Sequence, residues 1–421
     1  MKLARLAAVL LLGAAPLLAA CGGPAPGSAQ GASEIRVITP IFEGTDGQEA
    51  LDGLLATFKK SHPDVTVRVD YTSYSKLNEK LTTSIASGQP YDVMLMGIGW
   101  IPPFAEKGVL ADLGQDPEAL AQRFNERVVA PGVYDGKVYA LPIMLDARFG
   151  VYRKDIFAEE GIEKPPANFE ELREIAKKLT KREDGKLVRA GIDFLSNDLR
   201  QMFLPLLWAN GGELFTKDGK VAFNSPEAVG ALQLMTDIVR TDKSIDYGFT
   251  QPGAATGIPL VQGRAAMMIG HNNVWLEIQK AAPELIEDDK IGFFVIENTR
   301  KAMFQGGTLG TVSARSKNLE AAKALVEFLA GPDASLAASK QRGNVPALKE
   351  LEDSDHVKGN PAVRFAMENL DSAFSEGGVP QWLEIRDEFK ATIESALLGS
   401  KTPKQALDDL TAKAEQALSR G

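Results

Sequence analysis

This chain of 421 residues contains very little cysteine, histidine and aromatic side chain. It has one cysteine, three histidines and 7% aromatic residues. A single cysteine excludes an intramolecular disulfide and a cysteine-based metal cluster. His62, His271 and His356 lie far apart and outside any His-Glu-x-x-His arrangement, so we expect surface or capping roles for them. The sequence therefore predicts neither a metal nor another cofactor.

Basic residues are scarce relative to acidic ones. Lys and Arg number 47 against 56 Asp and Glu, which gives a formal charge of −9. This balance argues against a nucleic-acid-binding protein, because such binding depends on surplus cations. With 44% hydrophobic and 24% charged residues, the composition excludes a mainly disordered chain, a collagen-like repeat and a polytopic membrane protein. The length predicts two lobes, since one hydrophobic core rarely organises so many residues.

Common catalytic motifs are missing as well. The sequence has no Gly-x-Ser-x-Gly nucleophile motif and no Gly-x-x-x-x-Gly-Lys-Ser/Thr phosphate loop. Gly97-Ile98-Gly99 lacks the third glycine of a dinucleotide-binding loop, because Pro102 occupies that position. Carboxylates are too numerous for a glycosidase pair to be excluded by counting, but no pair stands out. An enzyme is possible, but nothing in the sequence requires one, and a surface-anchored glycoside-acting enzyme stays open as an alternative.

An uncharged apolar stretch follows a basic N-terminus. Residues 6–18 are too short for a comfortable membrane span but suit a secretory signal peptide. They end in Leu18-Ala19-Ala20-Cys21, which resembles a bacterial lipoprotein signal; the alternative is an ordinary signal peptide with an incidental cysteine. We predict a signal peptide over 1–20 and a flexible Gly/Ser/Pro-rich tether over 21–33. The mature protein would then lie outside the cytoplasm, anchored to a bacterial membrane by lipidated Cys21.

Strands and helices alternate after this tether. Polar–apolar alternation predicts strands at 34–39 and 65–69, and a continuous apolar run predicts a buried strand at 92–96. Leucines spaced by three and four predict helices at 48–61 and 76–87. Further helices are predicted at 170–180, 226–240, 319–329 and 402–418, and a further strand at 291–296. The strand–helix–strand order predicts an α/β sheet with right-handed crossovers.

Short motifs occur in a fixed order along the chain. They are GKVYALP at 136–142, GVYRKDIF at 150–157, FEEL at 169–172, WANGG at 208–212, QGRAAM at 262–267, Gly306-Gly307 followed by SKN at 316–318, and TPKQAL at 402–407. Each motif alone is weak, but the ordered set resembles the extracellular solute-binding proteins of ABC importers, in particular the sugar-binding branch similar to maltose-binding protein. Two positions depart from the family pattern, since Arg153 replaces the usual Asn and Asn168-Phe169 replaces the usual Thr-Trp.

The resemblance implies an α/β, two-lobe, periplasmic-binding-protein-like fold. Three interlobe crossing segments are implied near 143–149, 307–311 and 344–347. The N-terminal lobe would comprise 34–145 plus 309–345, and the C-terminal lobe 146–308 plus 346–421. A cleft between two such lobes, beyond the carboxyl ends of strands, buries a ligand from both sides. Hinge closure around that ligand is the expected motion.

The resemblance also implies a function. A carbohydrate, either a monosaccharide or an oligosaccharide, is captured by hinge closure and delivered to the membrane permease of an ABC transporter. The resemblance therefore implies a binding protein and not an enzyme, and we expect a monomer with no nucleic-acid partner. Other solutes stay open: a polyamine would require several acids in the cleft, a phosphate ester would require arginine and helix N-termini, and a peptide is a third alternative.

Aromatic candidates for ligand contact are three of the four tryptophans. A sugar presents C–H patches that pack on flat aromatic faces, and hydroxyl groups that need paired donors and acceptors. Trp100 follows a predicted strand, while Trp275 and Trp382 stand where the family often has an aromatic residue. For each of them the alternative is packing in the core. Trp208 lies in an apolar setting and is expected to pack in the core.

Polar candidates follow strands or lie in the crossing segments. Glu43, Thr45 and Asp46 come after the first strand, where the family supplies hydrogen bonds from its first lobe. Asp146 stands in the first crossing segment, where the family often has a ligand-binding acid; alternatively it pairs with Arg148, which is itself a candidate.

The remaining candidates lie in the second and third crossing segments. Gly306 and Gly307 allow close backbone approach to a ligand or a bend of the hinge. Arg342 and Asn344 complete the set of candidate residues.

Overall fold

The computed structural model describes residues 33–250 and 257–420. Cys21, the predicted signal peptide and the predicted tether up to residue 32 lie outside the described residues. Within the described ranges, no helix combines the length and the apolar character needed to cross a membrane.

The described residues form fourteen strands and eighteen α-helices. The strands are Ser33–Thr39 (β1), Val65–Tyr71 (β2), Val93–Gly97 (β3), Val133–Tyr134 (β4), Lys137–Val138 (β5), Ala140–Arg153 (β6), Lys181–Glu183 (β7), Lys186–Asp193 (β8), Ala265–His271 (β9), Ile291–Phe294 (β10), Ile296–Glu297 (β11), Lys301–Val312 (β12), Val345–Pro346 (β13) and Ala373–Ser375 (β14). The α-helices are Gly44–Ser61 (α1), Tyr74–Ala86 (α2), Ile101–Glu106 (α3), Pro117–Arg123 (α4), Glu126–Val129 (α5), Lys154–Glu159 (α6), Phe169–Leu179 (α7), Leu199–Ala209 (α8), Pro226–Thr236 (α9), Val274–Ala281 (α10), Glu284–Glu287 (α11), Leu319–Leu329 (α12), Pro332–Arg342 (α13), Asp355–Gly359 (α14), Pro361–Glu368 (α15), Trp382–Asp387 (α16), Phe389–Leu397 (α17) and Pro403–Leu418 (α18).

The predicted α/β start of the chain is confirmed. β1 pairs in parallel with both β2 and β3, and α1 and α2 are the crossover helices. Helix α1 begins at Gly44, four residues before the predicted start, with Glu43 in an extended conformation at its N-cap. The two predicted later helices with capping signals are also present. Ser225 accepts a hydrogen bond from the backbone of Ala228, and Thr402 forms a capping box with Gln405.

Two predicted elements are shorter than expected. The helix predicted to reach residue 240 is α-helical only to Thr236 and continues as a π-helical turn over Asp237–Thr241. The strand predicted at 291–296 is interrupted between β10 and β11, which pair with different partners, β6 and β12.

One large sheet connects the two halves of the molecule. Its strand order among the described residues is β2-β1-β3-β12-β6-β9-β8-β7, and β13 adds to β6 while β14 adds to β12. The predicted crossing segments at 143–149 and 307–311 lie within β6 and β12, and the one at 344–347 contains β13; β12 and β13 each pair with β6. The predicted lobe boundaries also fall within these three strands and stay a prediction.

Buried apolar side chains form two clusters on either side of this central sheet region. The first core includes Val37, Phe58 and Leu325, and the second core includes Phe203 and the predicted core residue Trp208. Strand β9 contributes to both, because successive side chains point to opposite faces: Met268 belongs to the first core, whereas its neighbours 267 and 269 belong to the second. Strands β6, β9 and β12 therefore lie at the junction of the two cores.

Candidate functional site

An ion pair lies in the middle of β6, at the junction of the two cores. Asp146 and Arg148 point to the same side of the strand, and the Arg148 guanidinium donates a hydrogen bond to the Asp146 carboxylate. Arg148 also donates to Gln201 Oε1, over 3.2 Å from Nε and 2.6 Å from Nη2. Its guanidinium carbon lies 5.2 Å from the centre of the Phe304 ring. The side chains of Asp146 and Arg148 are 19% and 11% exposed, so both charges are largely removed from water.

His271 completes this group from the neighbouring strand. It ends β9, directly opposite Arg148 in the strand register, and its Nε2 lies 3.6 Å from Asp146 Oδ2. Burial lowers the pKa of His271, and the positive charge of Arg148 lowers it further, although Asp146 acts in the opposite direction. Burial alone would raise the pKa of Asp146, but Arg148 and His271 hold it well below its ordinary value. At neutral pH the group therefore contains a carboxylate, a guanidinium and a neutral imidazole.

Glycines in β12 give this group its space. Gly306 is the register partner of Asp146, and any Cβ atom at residue 306 would clash with the Asp146 carboxylate. Gly307 has φ 148°, a conformation that residues with a side chain rarely adopt, and a Cβ atom there would lie 2.5 Å from the backbone oxygen of Met144. Both glycines are thus required by the approach of β12 to β6.

Tyr74 and Thr308 extend the polar surface toward the first core. Their hydroxyl groups are hydrogen-bonded to each other. Burial raises the pKa of Tyr74 to about 12, so its phenol stays neutral and can act as donor or acceptor. The charges of Arg342, Asp146 and Glu43 have smaller effects on the pKa of Tyr74 than burial has.

A second ion pair stands at the edge of this region. Arg342 Nη1 lies 3.0 Å from Glu43 Oε2, and the two side chains are 31% and 46% exposed. The neighbouring Gln341 fixes the loop that carries Glu43, because its Nε2 donates to the Glu43 backbone oxygen over 2.6 Å and its Oε1 accepts from the backbone of Phe42. Thr45 and Asp46 lie in the first turn of α1 and are exposed.

We call these residues the polar cluster. Its members share a position at or beside the junction of the two cores: Glu43, Tyr74, Asp146, Arg148, Gln201, His271, Thr308 and Arg342. Of the predicted site residues, Asp146 and Arg148 form one ion pair of the cluster, and Glu43 and Arg342 form the other.

Four members of the polar cluster were missed by sequence reasoning. Tyr74 and His271 stand after or at the carboxyl end of a strand, a position that would have drawn attention to them. Gln201 lies in helix α8 and Thr308 within β12, and neither position carries a sequence signal of that kind.

Trp100 and Trp382 lie in a second contact between the two cores. Trp100 is 5% exposed and stacks on Phe104, with ring centres 6.4 Å apart. Trp382 is fully buried, and a Cβ atom at Gly99 would lie 3.0 Å from its Nε1. The Arg386 guanidinium lies 5.9 Å from the Trp100 ring and so reaches from α16 to the first core.

A buried carboxylate holds the arginines of this second contact. Glu376 Oε2 lies 2.9 Å from Arg200 Nε, and Glu376 Oε1 lies 3.5 Å from Arg386 Nη1. Asp198 and Asp387 lie further away, at 3.7 Å from Arg200 and 3.8 Å from Arg386. Burial lowers the pKa of Arg386, although Glu376 acts against this change.

Trp275 lies in the first core. It is buried on α10, and its ring centre is 6.1 Å from that of Phe293. Its role as a ligand contact, like the roles of Trp100 and Trp382, stays a prediction.

The chemistry of the polar cluster suits a ligand with several hydroxyl groups. A carboxylate and an amide oxygen accept hydrogen bonds, while a guanidinium and an amide nitrogen donate them. In the described part of the chain, no group of three or more His, Cys, Asp or Glu residues is placed to hold a metal ion.

Comparison with known proteins gives consistent matches along the chain. The model of the family described as bacterial extracellular solute-binding protein matches residues 43–335. A binding protein of Brucella abortus is 29% identical over 96% of this chain and 98% of its own length. The galactooligosaccharide-binding protein of Bacillus subtilis is 27% identical over 97% and 96%. The diacetylchitobiose binding protein of Streptomyces coelicolor is 24% identical over 96% of each chain.

Solved structures match the fold closely. An ABC substrate-binding protein of Listeria monocytogenes in complex with cycloalternan has a TM-score of 0.76 at 26% identity, covering 92% of this chain and 99% of that one. A maltose-bound protein of T. maritima has a TM-score of 0.75 at 26% identity, covering 91% and 99%. The predicted two-lobe binding-protein fold is confirmed. The chain belongs to the bacterial extracellular solute-binding protein family, which is a family of binding proteins and not of enzymes.

Proposed function

We propose that this protein captures an uncharged carbohydrate at the polar cluster, closes around it, and delivers it to the permease of an ABC importer. We further propose that lipidated Cys21 anchors it to a bacterial membrane. The observation that carries the proposal is the group formed by Asp146, Arg148, Gln201 and His271 at the junction of the two cores.

The charge balance of the polar cluster favours a neutral ligand. Asp146 is paired with Arg148, and Glu43 is paired with Arg342, so two carboxylates face two guanidiniums. The lowered pKa of His271 keeps its imidazole uncharged at pH 7. A polyamine would require surplus acids and a phosphate ester surplus cations, because a buried charge without a partner is costly. A neutral sugar requires neither.

The hydrogen-bonding groups are of the kind that sugar hydroxyls require. Each hydroxyl group can donate one hydrogen bond and accept others, and an ionised carboxylate or guanidinium gives stronger bonds than a neutral group. The relatives named above bind galactooligosaccharide and diacetylchitobiose, and the matching structures contain cycloalternan and maltose. These relationships support a saccharide as the ligand class.

Closure follows from where the polar cluster lies. Strands β6 and β12 run between the two cores, β13 pairs with β6, and the cluster is built on or beside these strands. A ligand that bonds to groups from both cores stabilises the arrangement in which those groups are close together. The ligand thereby shifts the population toward the closed form, which a permease can distinguish from the open form.

Isothermal titration calorimetry on the mature chain tests this function. We expect saturable binding of at least one neutral mono- or oligosaccharide from a broad panel. We expect no binding of spermidine or of a sugar phosphate, which serve as charged controls. Tight binding of a charged solute with no response to any neutral sugar would overturn the proposed ligand class.

A further inference from the structure

A buried asparagine joins strand β6 to the turn that precedes β13. Asn272 directly follows β9 and is fully buried. The backbone N–H of Ala147 donates to Asn272 Oδ1 over 2.7 Å, and the backbone N–H of Asn272 donates to the Ala147 carbonyl over 3.1 Å. On its other side, Asn272 Nδ2 donates to the Gly343 carbonyl over 2.5 Å and to Asn344 Oδ1 over 3.2 Å. One amide thus holds β6 and the turn before β13.

These partners stand directly beside the two ion pairs of the polar cluster. Ala147 lies between Asp146 and Arg148, and Gly343 follows Arg342. The side chain of Asn272 is therefore attached to the backbone that carries each ion pair, without being a member of either. A shift of β6 relative to this turn would have to break at least one of its hydrogen bonds.

The turn at Gly343 is itself tightly constrained. Gly343 has φ 63° and ends helix α13, and a Cβ atom there would lie 2.7 Å from Leu276. Its neighbour Asn344 is buried, and the Asn344 carbonyl lies 2.8 Å from His356 Nε2. Because the turn is constrained, the position of Asn272 determines the position of the Arg342 backbone.

The site requires an amide at residue 272. One end must accept from an N–H group and the other must donate to two oxygens, and among short side chains asparagine provides both. An unmade hydrogen bond at a buried position costs the full desolvation of the group left without a partner. The hydrogen bonds of Asn272 are therefore expected to act together.

We propose that Asn272 is a positioning residue that couples β6 to the turn before β13, so that Asp146–Arg148 and Glu43–Arg342 are held in one ligand-binding geometry. Its effect on affinity rests on the function proposed above. Its coupling of the strand to the turn does not, and can be measured without a ligand.

The variant Asn272→Asp keeps the hydrogen-bond acceptor of the amide and removes its donor. It keeps an oxygen for the Ala147 N–H but places a second oxygen against the Gly343 carbonyl and Asn344 Oδ1. When the new carboxyl is protonated, it can donate again to the Gly343 carbonyl. Asn360→Asp is the matched control, because Asn360 is also buried but its side-chain oxygen accepts from two backbone N–H groups, those of Ala362 and Val363.

Hydrogen–deuterium exchange without ligand tests the coupling. At pH 8, Asn272→Asp is expected to raise exchange in peptides covering 143–149 and 340–346 together, and Asn360→Asp in neither. An equal rise in exchange throughout the chain, or a rise in one of these two segments alone, would overturn the coupling.

Calorimetry with a sugar that the wild type binds then tests positioning. We expect binding about tenfold weaker at pH 8 for Asn272→Asp. Affinity should recover as the pH falls to 5.5, relative to wild type at the same pH. This comparison subtracts the effects of the nearby charged groups that both proteins share: Asp146, Arg148, His271, Arg342 and His356. Unchanged affinity at both pH values, with only a lower Tm, would reduce Asn272 to a structural role. A wild type that binds no sugar contradicts the proposed function, whereas the exchange result still decides the coupling.

Discussion

Two junctions between the cores can be compared in the described residues, and they are built from different interactions. On one side, β6 and β12 run between the cores and pair through backbone hydrogen bonds, with β13 paired to β6 and Asn272 bonded beside it. We call this the strand junction. On the other side, Gly99 meets Gly377 and Trp382 through van der Waals contact, without strand pairing. We call this the glycine contact.

The difference predicts which junction opens. Backbone ladders are satisfied within the sheet and lose hydrogen bonds if the strands separate, whereas the glycine contact, with the Arg386 guanidinium over the Trp100 ring beside it, separates without breaking a backbone ladder. Gly377 and Gly99 approach so closely that a Cβ atom at residue 377 would lie 2.8 Å from Gly99 Cα. We expect the strand junction to act as the hinge and the glycine contact to form on closure.

The largest expected effect is at the strand junction. Asp146→Asn removes the charge that balances Arg148 and one strong acceptor, so we expect sugar binding about a hundredfold weaker. Calorimetry gives the affinity, and thermal unfolding shows a lower Tm. Asp155→Asn is the control, because it breaks a similar pair, with Arg153 Nη2 at 2.6 Å from Asp155 Oδ2, outside the polar cluster. Equal losses in both variants would contradict a binding role for Asp146.

The next effect breaks the glycine contact and leaves the polar cluster intact. In Gly99→Ala, the new Cβ atom would lie 3.0 Å from Trp382 Nε1 and 3.2 Å from the Glu376 carbonyl, so closure should be impeded. We expect about tenfold weaker binding and a larger radius of gyration by X-ray scattering in the presence of sugar.

Gly108→Ala isolates the backbone strain in that experiment. Gly108 also has a positive φ, 63° against 87° for Gly99, but a Cβ atom there would meet nothing within 4 Å. The same loss of affinity in Gly108→Ala would show that strain, and not the glycine contact, explains the effect.

A smaller effect is the loss of stability at acidic pH. The pKa of His271 is lowered on folding from its ordinary 6.5, so the unfolded chain takes up a proton at a pH where the folded chain does not. The contribution of His271 to stability is therefore complete above pH 6.5 and declines as the pH falls below it. The Tm of the wild type should fall between pH 7 and 5.

Replacing the histidines separates their contributions to this slope. His271→Gln should flatten the decline in part, and His356→Gln should remove another part, because burial also lowers the pKa of His356. An unchanged slope in His271→Gln would show that burial of His271 does not contribute.

The smallest effect is expected at the exposed edge of the strand junction. The pair of Glu43 and Arg342 is about one-third to one-half exposed, and such pairs contribute little. Glu43→Gln should weaken binding by about threefold. Thr45→Ala and Asp46→Ala, on the exposed first turn of α1, should change it less. A loss of sugar affinity in Glu43→Gln as large as that in Asp146→Asn would show that Glu43 is a main ligand contact.

The first α/β unit could be predicted from the sequence because its patterns are local. Alternation at 34–39 and leucine spacing in the following helix need no information from the rest of the chain. Strands β8 and β9 were not predicted. In β9, residues 265–270 form a continuous run of small and apolar residues, a pattern that does not distinguish a buried strand from a buried helix.

Contacts of the candidate site between residues close in sequence could be predicted, whereas contacts that depend on how strands pair could not. Asp146 and Arg148 are two residues apart, so their pairing follows from strand geometry. His271 joins them only because β9 pairs with β6 in one particular register, and Gln201 joins them from a helix. The tryptophans show a further limit, since composition and loop position do not reveal that Trp275 and Trp382 are buried.

Native mass spectrometry of the purified mature protein tests carbohydrate capture at the polar cluster most directly. The wild type is expected to carry a co-purified solute whose mass is that of a neutral saccharide, and Asp146→Asn is expected to carry much less of it. A wild type loaded with a polyamine or a phosphate ester, or equal loading of both proteins, would contradict capture of a neutral sugar by Asp146 and its partners.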